Sequence, residues 1–161
     1  MIGDDVAPSN YGYVGLTVEE RAVLAPGGIV FEYIAAAALL VGDVVFFTSA
    51  GEANKSATTA DYQKYCGVVI GGTKTFMRAI TRKLDVGIAA AATGERVLVC
   101  YIGKAWVKAA AAVTRAGQLT VATTSGQVDD AAGATQGQII GIALEAAANA
   151  GDVILALVNH R

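Results

Sequence analysis

Gly42-Asp43-Val44-Val45-Phe46-Phe47-Thr48 decides how the rest of this 161-residue chain is read. A Gly-Asp pair opens it and Ser49-Ala50-Gly51 closes it. Between them every residue is β-branched or aromatic, which suits a short strand held between turns. Similar runs follow at Cys66–Ile70, Arg96–Ile102, Ala105–Lys108, Leu119–Ala122, Ile139–Leu144 and Val153–Val158. Gly, Asn or Asp punctuates them. Short strands at this spacing predict a mainly β chain, a small barrel or sandwich, with at most one or two short helices.

The same punctuation recurs. Gly42 leads a strand, Gly51 follows, and Gly67 opens Gly-Val-Val-Ile-Gly. Gly117, Gly126 and Gly141 stand in the same order, at offsets of 75, 75 and 74. Thr93-Gly94-Glu95-Arg96-Val97-Leu98-Val99 then resembles Ala150-Gly151-Asp152-Val153-Ile154-Leu155-Ala156, at an offset of 57. An imperfect internal repeat is predicted, with units at about 40–103 and 115–158 and about 17 extra residues near 72–88 in the first. Two such units build one β-rich domain, 31–161, behind an extended arm at 1–30. The arm holds both prolines (Pro8 and Pro26) and the polar run Ser9-Asn10-Tyr11-Gly12-Tyr13. Thr17-Val18-Glu19-Glu20 is a capping-box-like start, so a helical turn over Thr17–Leu24 is expected, ended by Pro26-Gly27-Gly28. The alanine runs at 35–38, 89–92, 109–112 and 146–148 are too short to nucleate helices and abut strand signals. They are read as loops or strand edges.

Composition narrows the function. Hydrophobic residues make up 54% of the chain and mean hydropathy is +0.49, which invites a membrane reading. Yet the apolar count is Ala and Val, 32 and 19 residues, and no uncharged apolar run reaches the roughly 18 residues of a membrane helix. Met1-Ile2-Gly3-Asp4-Asp5 lacks the basic start and apolar stretch of a secretion signal, so a cytoplasmic origin is expected. Cys66 and Cys100 then read as free buried thiols, with a disulfide left open. A net charge of −2 gives no electrostatic case for nucleic acid.

The search for chemistry finds no cluster. His160 is the only histidine, and the two cysteines lie 34 residues apart, so neither a metal site nor a Ser-His or Cys-His pair is expected. Gly67-Val-Val-Ile-Gly71-Gly72-Thr73-Lys74 imitates a phosphate loop, but the order is wrong: Lys must precede the hydroxyl. Lys104, Trp106 and Lys108 alternate on one strand face, without the second such strand a single-stranded nucleic-acid platform needs. Asn54-Lys55-Ser56 matches a glycosylation sequon that means little without secretion. The segment at 72–88 spaces Phe76, Ile80 and Leu84 four apart, and Lys74, Arg78 and Arg82 likewise, so helix and alternating strand both remain open. With Lys83 these basic residues form a candidate patch for an acidic partner. No catalytic, cofactor or metal residue is proposed.

The order Leu40-Val-Gly-Asp-Val-Val-Phe-Phe, Cys66-Gly-Val-Val-Ile-Gly, Thr93-Gly-Glu-Arg-Val-Leu-Val, Ala116-Gly-Gln-Leu-Thr-Val, Gln138-Ile-Ile-Gly-Ile-Ala and Gly151-Asp-Val-Ile-Leu-Ala-Leu-Val resembles the capsid decoration (cement) proteins of tailed bacteriophages. The resemblance covers about residues 39–158. It implies a barrel or tulip-like fold and a homotrimer on the outside of the mature head. It also implies contact with the major capsid protein, no cofactor, and a role in bridging capsomers against internal pressure, with assembly in the host cytoplasm. By position the arm is the expected capsid contact: Asp4, Asp5 and Val6, with Tyr11 and Tyr13 as aromatic anchors. The competing expectation is a carbohydrate- or ligand-binding β module of a tail or fibre, for which Trp106 is the candidate platform.

Overall fold

A computed structural model describes residues 29–56, 66–75, 83–132 and 138–159. The expected helical turn at Thr17–Leu24 lies outside them. Among the described residues eleven strands follow one another: β1 Ile29–Ile34, β2 Leu39–Leu40, β3 Val44–Phe47, β4 Ala53–Lys55, β5 Cys66–Gly72, β6 Ala89–Ala91, β7 Arg96–Lys108, β8 Gln118–Val121, β9 Val128–Asp130, β10 Gly141–Ala143 and β11 Val153–Asn159. No α-helix occurs among the described residues, and Lys83–Asp85 forms a 3-10 turn. The chain is mainly β, and its nine-stranded sheet curls into a half-barrel. Two predicted strands, 96–102 and 105–108, are one continuous strand. β1 begins at Ile29, inside the span read as arm.

The sheet runs β4-β3-β5-β7-β11-β10-β8-β9, with β1 also on β7, and β2 pairs with β6. The order reads as two copies of one pattern back to back. In the first, β3 lies between β4 and β5, with β7 beyond β5. In the second, β8 lies between β9 and β10, with β11 beyond β10. The registers agree residue by residue. Val45 pairs with Gly67, and 74 positions on, Leu119 pairs with Gly141. Val68 pairs with Cys100, while Ile142 pairs with Leu157, 57 positions beyond Cys100. β1 against the first half of β7 corresponds to the second half of β7 against β11: Val30↔Cys100 and Lys104↔Leu157. At strand level the copies therefore meet inside β7, and span 29–102 and 103–159. The glycine alignment slips once. The residue equivalent to Gly42 (φ 89°) is Ala116 (φ 66°), not Gly117. Gly42 N–H donates to Val69 O and Ala116 N–H to Ala143 O, each at 2.8 Å. Alanine occupies a left-handed position there that ordinarily favours glycine.

Burial explains why the copies differ in sequence. β3 and β5 are continuous apolar runs because both faces of the first copy are covered. Val44 and Val68 enter a core shared with the second copy. Val45 and Val69 enter a separate core with Leu39, Ala90 and Val97. A strand buried on both faces has no polar side to show. β8 instead alternates, with Leu119 and Val121 buried and Gln118 exposed; β10 and β11 alternate likewise. The second copy buries one face in the shared core, and its other face is half-buried to exposed. The alanine runs serve where chains cross closely: Ala35 bridges to Ala53, Ala109 to Val128, and Ala147 to Val113, while 89–91 form β6.

The junction between copies is made partly by a turn. Gly126, between β8 and β9, donates its N–H to Ser56 O at 2.7 Å and accepts from Val44 N–H at 3.0 Å. Ser56, the sequon serine, is fully buried and its hydroxyl donates to Val44 O at 2.9 Å. Beside it Asp43 accepts from Leu40 N–H at 2.8 Å and pairs with Lys55 at 3.0 Å. Burial pushes the Asp43 carboxyl above its ordinary value, against the lowering pull of Leu40 N–H, Lys55 and Lys108.

Candidate interaction surfaces

Among the described residues no group of three His, Cys, Asp or Glu could hold a metal ion. No helix there is long and apolar enough to cross a membrane. Cys100 is a free, buried thiol, and burial pushes it up to about 12, which leaves it little thiolate character. What the described residues offer is surface, and two stretches of it lie on the nine-stranded sheet.

The first is an aromatic row. β1 alternates, so Val30 enters the shared core while Phe31 and Tyr33 face the other way. β7 brings Tyr101 beside Phe31, with ring centroids 6.3 Å apart. β3 brings Phe47 onto Tyr33, stacked at 4.2 Å. Phe31 and Tyr33 meet edge to face at 6.3 Å. The row runs Tyr101, Phe31, Tyr33, Phe47. Phe31 is 42% exposed and the other three are half-buried. Its second-copy equivalents are Ala105, Val107, Val121 and Val158, all buried. Sequence reasoning missed this row because it assigned no strand to Ile29-Val-Phe-Glu-Tyr-Ile34, although that run carries the same β-branched and aromatic signal as β3.

The second is the outer face of the second copy. Trp106 pairs with Leu155, Lys104 with Leu157, and Leu157 with Ile142. Trp106, Leu155 and Leu157 are half-buried, while Ile142 is 37% exposed. Their first-copy equivalents (Leu98 for Leu155, Cys100 for Leu157, Val68 for Ile142) are buried in the shared core.

The inserted segment touches this second face. Lys83 pairs with Glu145 at 3.6 Å, and its ammonium lies 5.7 Å from the centre of the Trp106 ring. Lys74 pairs with Glu95 at 3.0 Å. The two described members of the predicted basic patch are thus both engaged in ion pairs within the chain. Arg78 and Arg82 lie outside the described residues.

Comparison with known proteins then gives a family. The model of the phage structural cement proteins (E217 gp24/Pam3 gp6) matches residues 8–159, nearly the whole chain. The chain belongs to the phage structural cement protein family. No curated protein matches it in sequence. Among solved structures, the N-terminal base of the bacteriophage phi29 head fibre gp8.5 matches with a TM-score of 0.48 and 12% identity, covering 81% of this chain and 93% of that one. The cement family is a structural one, not a family of enzymes. In this cement protein the expected arm contacts, Asp4, Asp5, Val6, Tyr11 and Tyr13, lie outside the described residues.

The phosphate-loop mimic in this cement protein serves a turn. Gly72 N–H donates to Thr75 Oγ1 at 2.9 Å, and Thr73 Oγ1 donates to Glu95 at 2.9 Å. Glu95 also accepts from Ala92 N–H at 2.8 Å. That hydrogen bond, with those of Lys74 and Thr73, lowers Glu95 from its ordinary 4.5 to about 2. A depressed carboxyl stabilises the folded state above its unfolded value and loses that contribution as pH falls through its folded value. Glu95→Gln is therefore expected to lower the melting temperature at pH 7. It should also flatten its decline between about pH 4.5 and 2, where the wild type loses this contribution. Parallel melting curves for both proteins across that window would count against the assignment.

Proposed function

We propose that this chain binds the outside of the mature phage head as a homotrimer. There it links neighbouring copies of the major capsid protein against internal pressure, without cofactor or catalytic step, after assembly in the host cytoplasm. The family match over residues 8–159 carries the reading. Two partly exposed apolar surfaces on a small β chain are consistent with a protein that works by contact. We assign the first capsid contact to Asp4, Asp5, Val6, Tyr11 and Tyr13, and a further contact to the segment bearing Lys74, Arg78, Arg82 and Lys83. Deleting residues 1–13 is expected to leave the melting temperature unchanged. It should weaken binding to expanded capsids at least tenfold, about 1.4 kcal/mol. Unchanged capsid affinity in the truncated protein would remove the arm from the contact.

A carbohydrate-binding module is the second reading. Its platform is the aromatic row rather than Trp106, whose ring already faces Lys83. A glycan screen with Phe31→Ala as control separates the two readings, and no glycan binding is expected.

A further inference from the structure

We infer that Lys83 is an exchangeable hook. Closed, it ties the strap at residues 83–88 to Glu145 and the Trp106 ring. An acidic surface of the capsid protein takes the place of Glu145, captures Lys83 and draws its ammonium off the ring. The inference deepens the reading of this segment as a capsid contact and rests on it; attachment through the arm is a separate matter.

The strap is attached in two ways. Its main chain is fixed to the first repeat: Gly87 N–H donates to Val41 O and Val41 N–H donates to Ile88 O, each at 2.9 Å. Val86 packs on the Gly42 turn, where a Cβ would stand 2.7 Å from Val86 Cγ1. These attachments carry no net charge, so a charged partner has nothing to exchange there. Asp85 is buried in the same turn with contacts of its own. Lys83, at the other end of the strap, crosses to the second repeat. Its ammonium lies 3.6 Å from Glu145 and 5.7 Å from the centre of the Trp106 ring. Releasing Lys83 therefore leaves the strap seated on Val41 and Gly42.

The two described cations of the inserted segment are held with different firmness. Lys74 lies 3.0 Å from Glu95, a carboxylate that also accepts from Ala92 N–H and the Thr73 hydroxyl. The Lys83–Glu145 pair is longer, and its side chains are 54% and 42% exposed. An exposed ion pair of that length is weak and screened by salt. The cation–π contact of an exposed ammonium adds a modest attraction. Opening the hook strands no buried charge. Lys83 turns to solvent, and Glu145 still accepts from Leu155 N–H at 3.4 Å. Trp106 keeps its further contacts within the chain, so its surroundings change without its being unseated. Several carboxylates on a partner then compete against one. A partner that must first open the hook binds more weakly than one that meets it open. Removing Glu145 and removing Lys83 break the same contact, yet they shift partner binding in opposite directions. An ion pair that serves the fold alone produces no such split.

Trp106 is the one tryptophan of the chain, so its fluorescence reports the hook. Lys83→Met and Glu145→Gln each open it, and circular dichroism establishes that both full-length variants are folded. At low salt both spectra should differ from wild type, and the wild-type spectrum should move towards theirs as salt rises. Poly-L-glutamate, which has no aromatic ring, is the acidic probe and should move the wild-type spectrum in the same direction. It should bind Glu145→Gln about twofold to fivefold more tightly than wild type, and Lys83→Met more weakly by a similar factor. Glu52→Gln, the same charge change beside the Gly51 turn, should leave the affinity unchanged. A Lys83→Met spectrum identical to wild type overturns the inference. So do affinities that move in the same direction in the two hook variants, or a gain that Glu52→Gln equals. Expanded capsids should rank wild type and the two hook variants as the probe does. Capsid binding that neither hook variant alters overturns the hook and leaves the cement reading standing. A hook that answers poly-L-glutamate in a protein that ignores expanded capsids does the reverse.

Discussion

Gly141→Val is expected to abolish folding, and Gly67→Val to do the same from the equivalent position in the other repeat. At Gly141 a Cβ would stand 2.6 Å from the Leu157 carbonyl oxygen, 3.4 Å from its carbon and 3.4 Å from Val158 Cα. At Gly67 it would stand 2.5 Å from Val99 Cγ1 and 2.9 Å from the Cys100 carbonyl oxygen. The obstacles at Gly141 are all main chain of the neighbouring strand, so no rotamer change relieves them. β10 would have to leave β11, or β5 leave β7, and each pairing supports a core. Alanine at either glycine should cost about 1–3 kcal/mol, the usual range for overpacking. In a chain this long that lowers the melting temperature by about 2–12 °C, at 2–4 °C for each kcal/mol. Valine adds two methyl groups in the same gap. Against a typical total stability of about 5–15 kcal/mol it should leave little folded protein. Soluble yield and melting curves of the four variants read this out. A Gly141→Ala protein melting like wild type would show that the strands have room the structure does not give them.

These two glycines also show how far the sequence could be read. Their equivalence was legible because glycine is conserved between the repeats by close approach, and the strands beside them differ by a constant offset. The offset failed at Gly42, where the second repeat places Ala116 in the left-handed turn and Gly117 follows by one residue. Alignment by residue type chose the wrong neighbour. β2, β6 and β9 are two or three residues long, too short for alternation to register. β1 was hidden behind Pro26-Gly27-Gly28, which reads as the end of an arm. The contrast between Val44-Val45-Phe46-Phe47 and Gln118-Leu119-Thr120-Val121 was visible, and it reports two-sided against one-sided burial. What it meant needed the topology, since Tyr101, Phe31, Tyr33 and Phe47 reach one face from three strands. No spacing rule brings residues 31, 47 and 101 together.

The two hairpin turns, alike in backbone and unlike in surroundings, give the sharpest test of the internal junction. Gly51 and Gly126 have φ of 78° and 74°, so valine at either strains the backbone by about 1–2 kcal/mol. At Gly51 the strain is the whole effect, because the space is open. At Gly126 a Cβ would lie 2.6 Å from Asp43 Oδ1 and 3.2 Å from Lys55 Cδ. The side chain must then drive Asp43 from Lys55, or lift the turn off Val44 and Ser56. Lifting it forfeits two hydrogen bonds worth about 1 kcal/mol each. The Ser56 carbonyl, beside a fully buried side chain, would lose its donor. Gly126→Val should therefore cost about 3–5 kcal/mol where Gly51→Val costs about 1–2. Denaturant titrations of the two variants side by side measure the difference. Equal losses would mean that the Gly126 turn does not hold the repeats together.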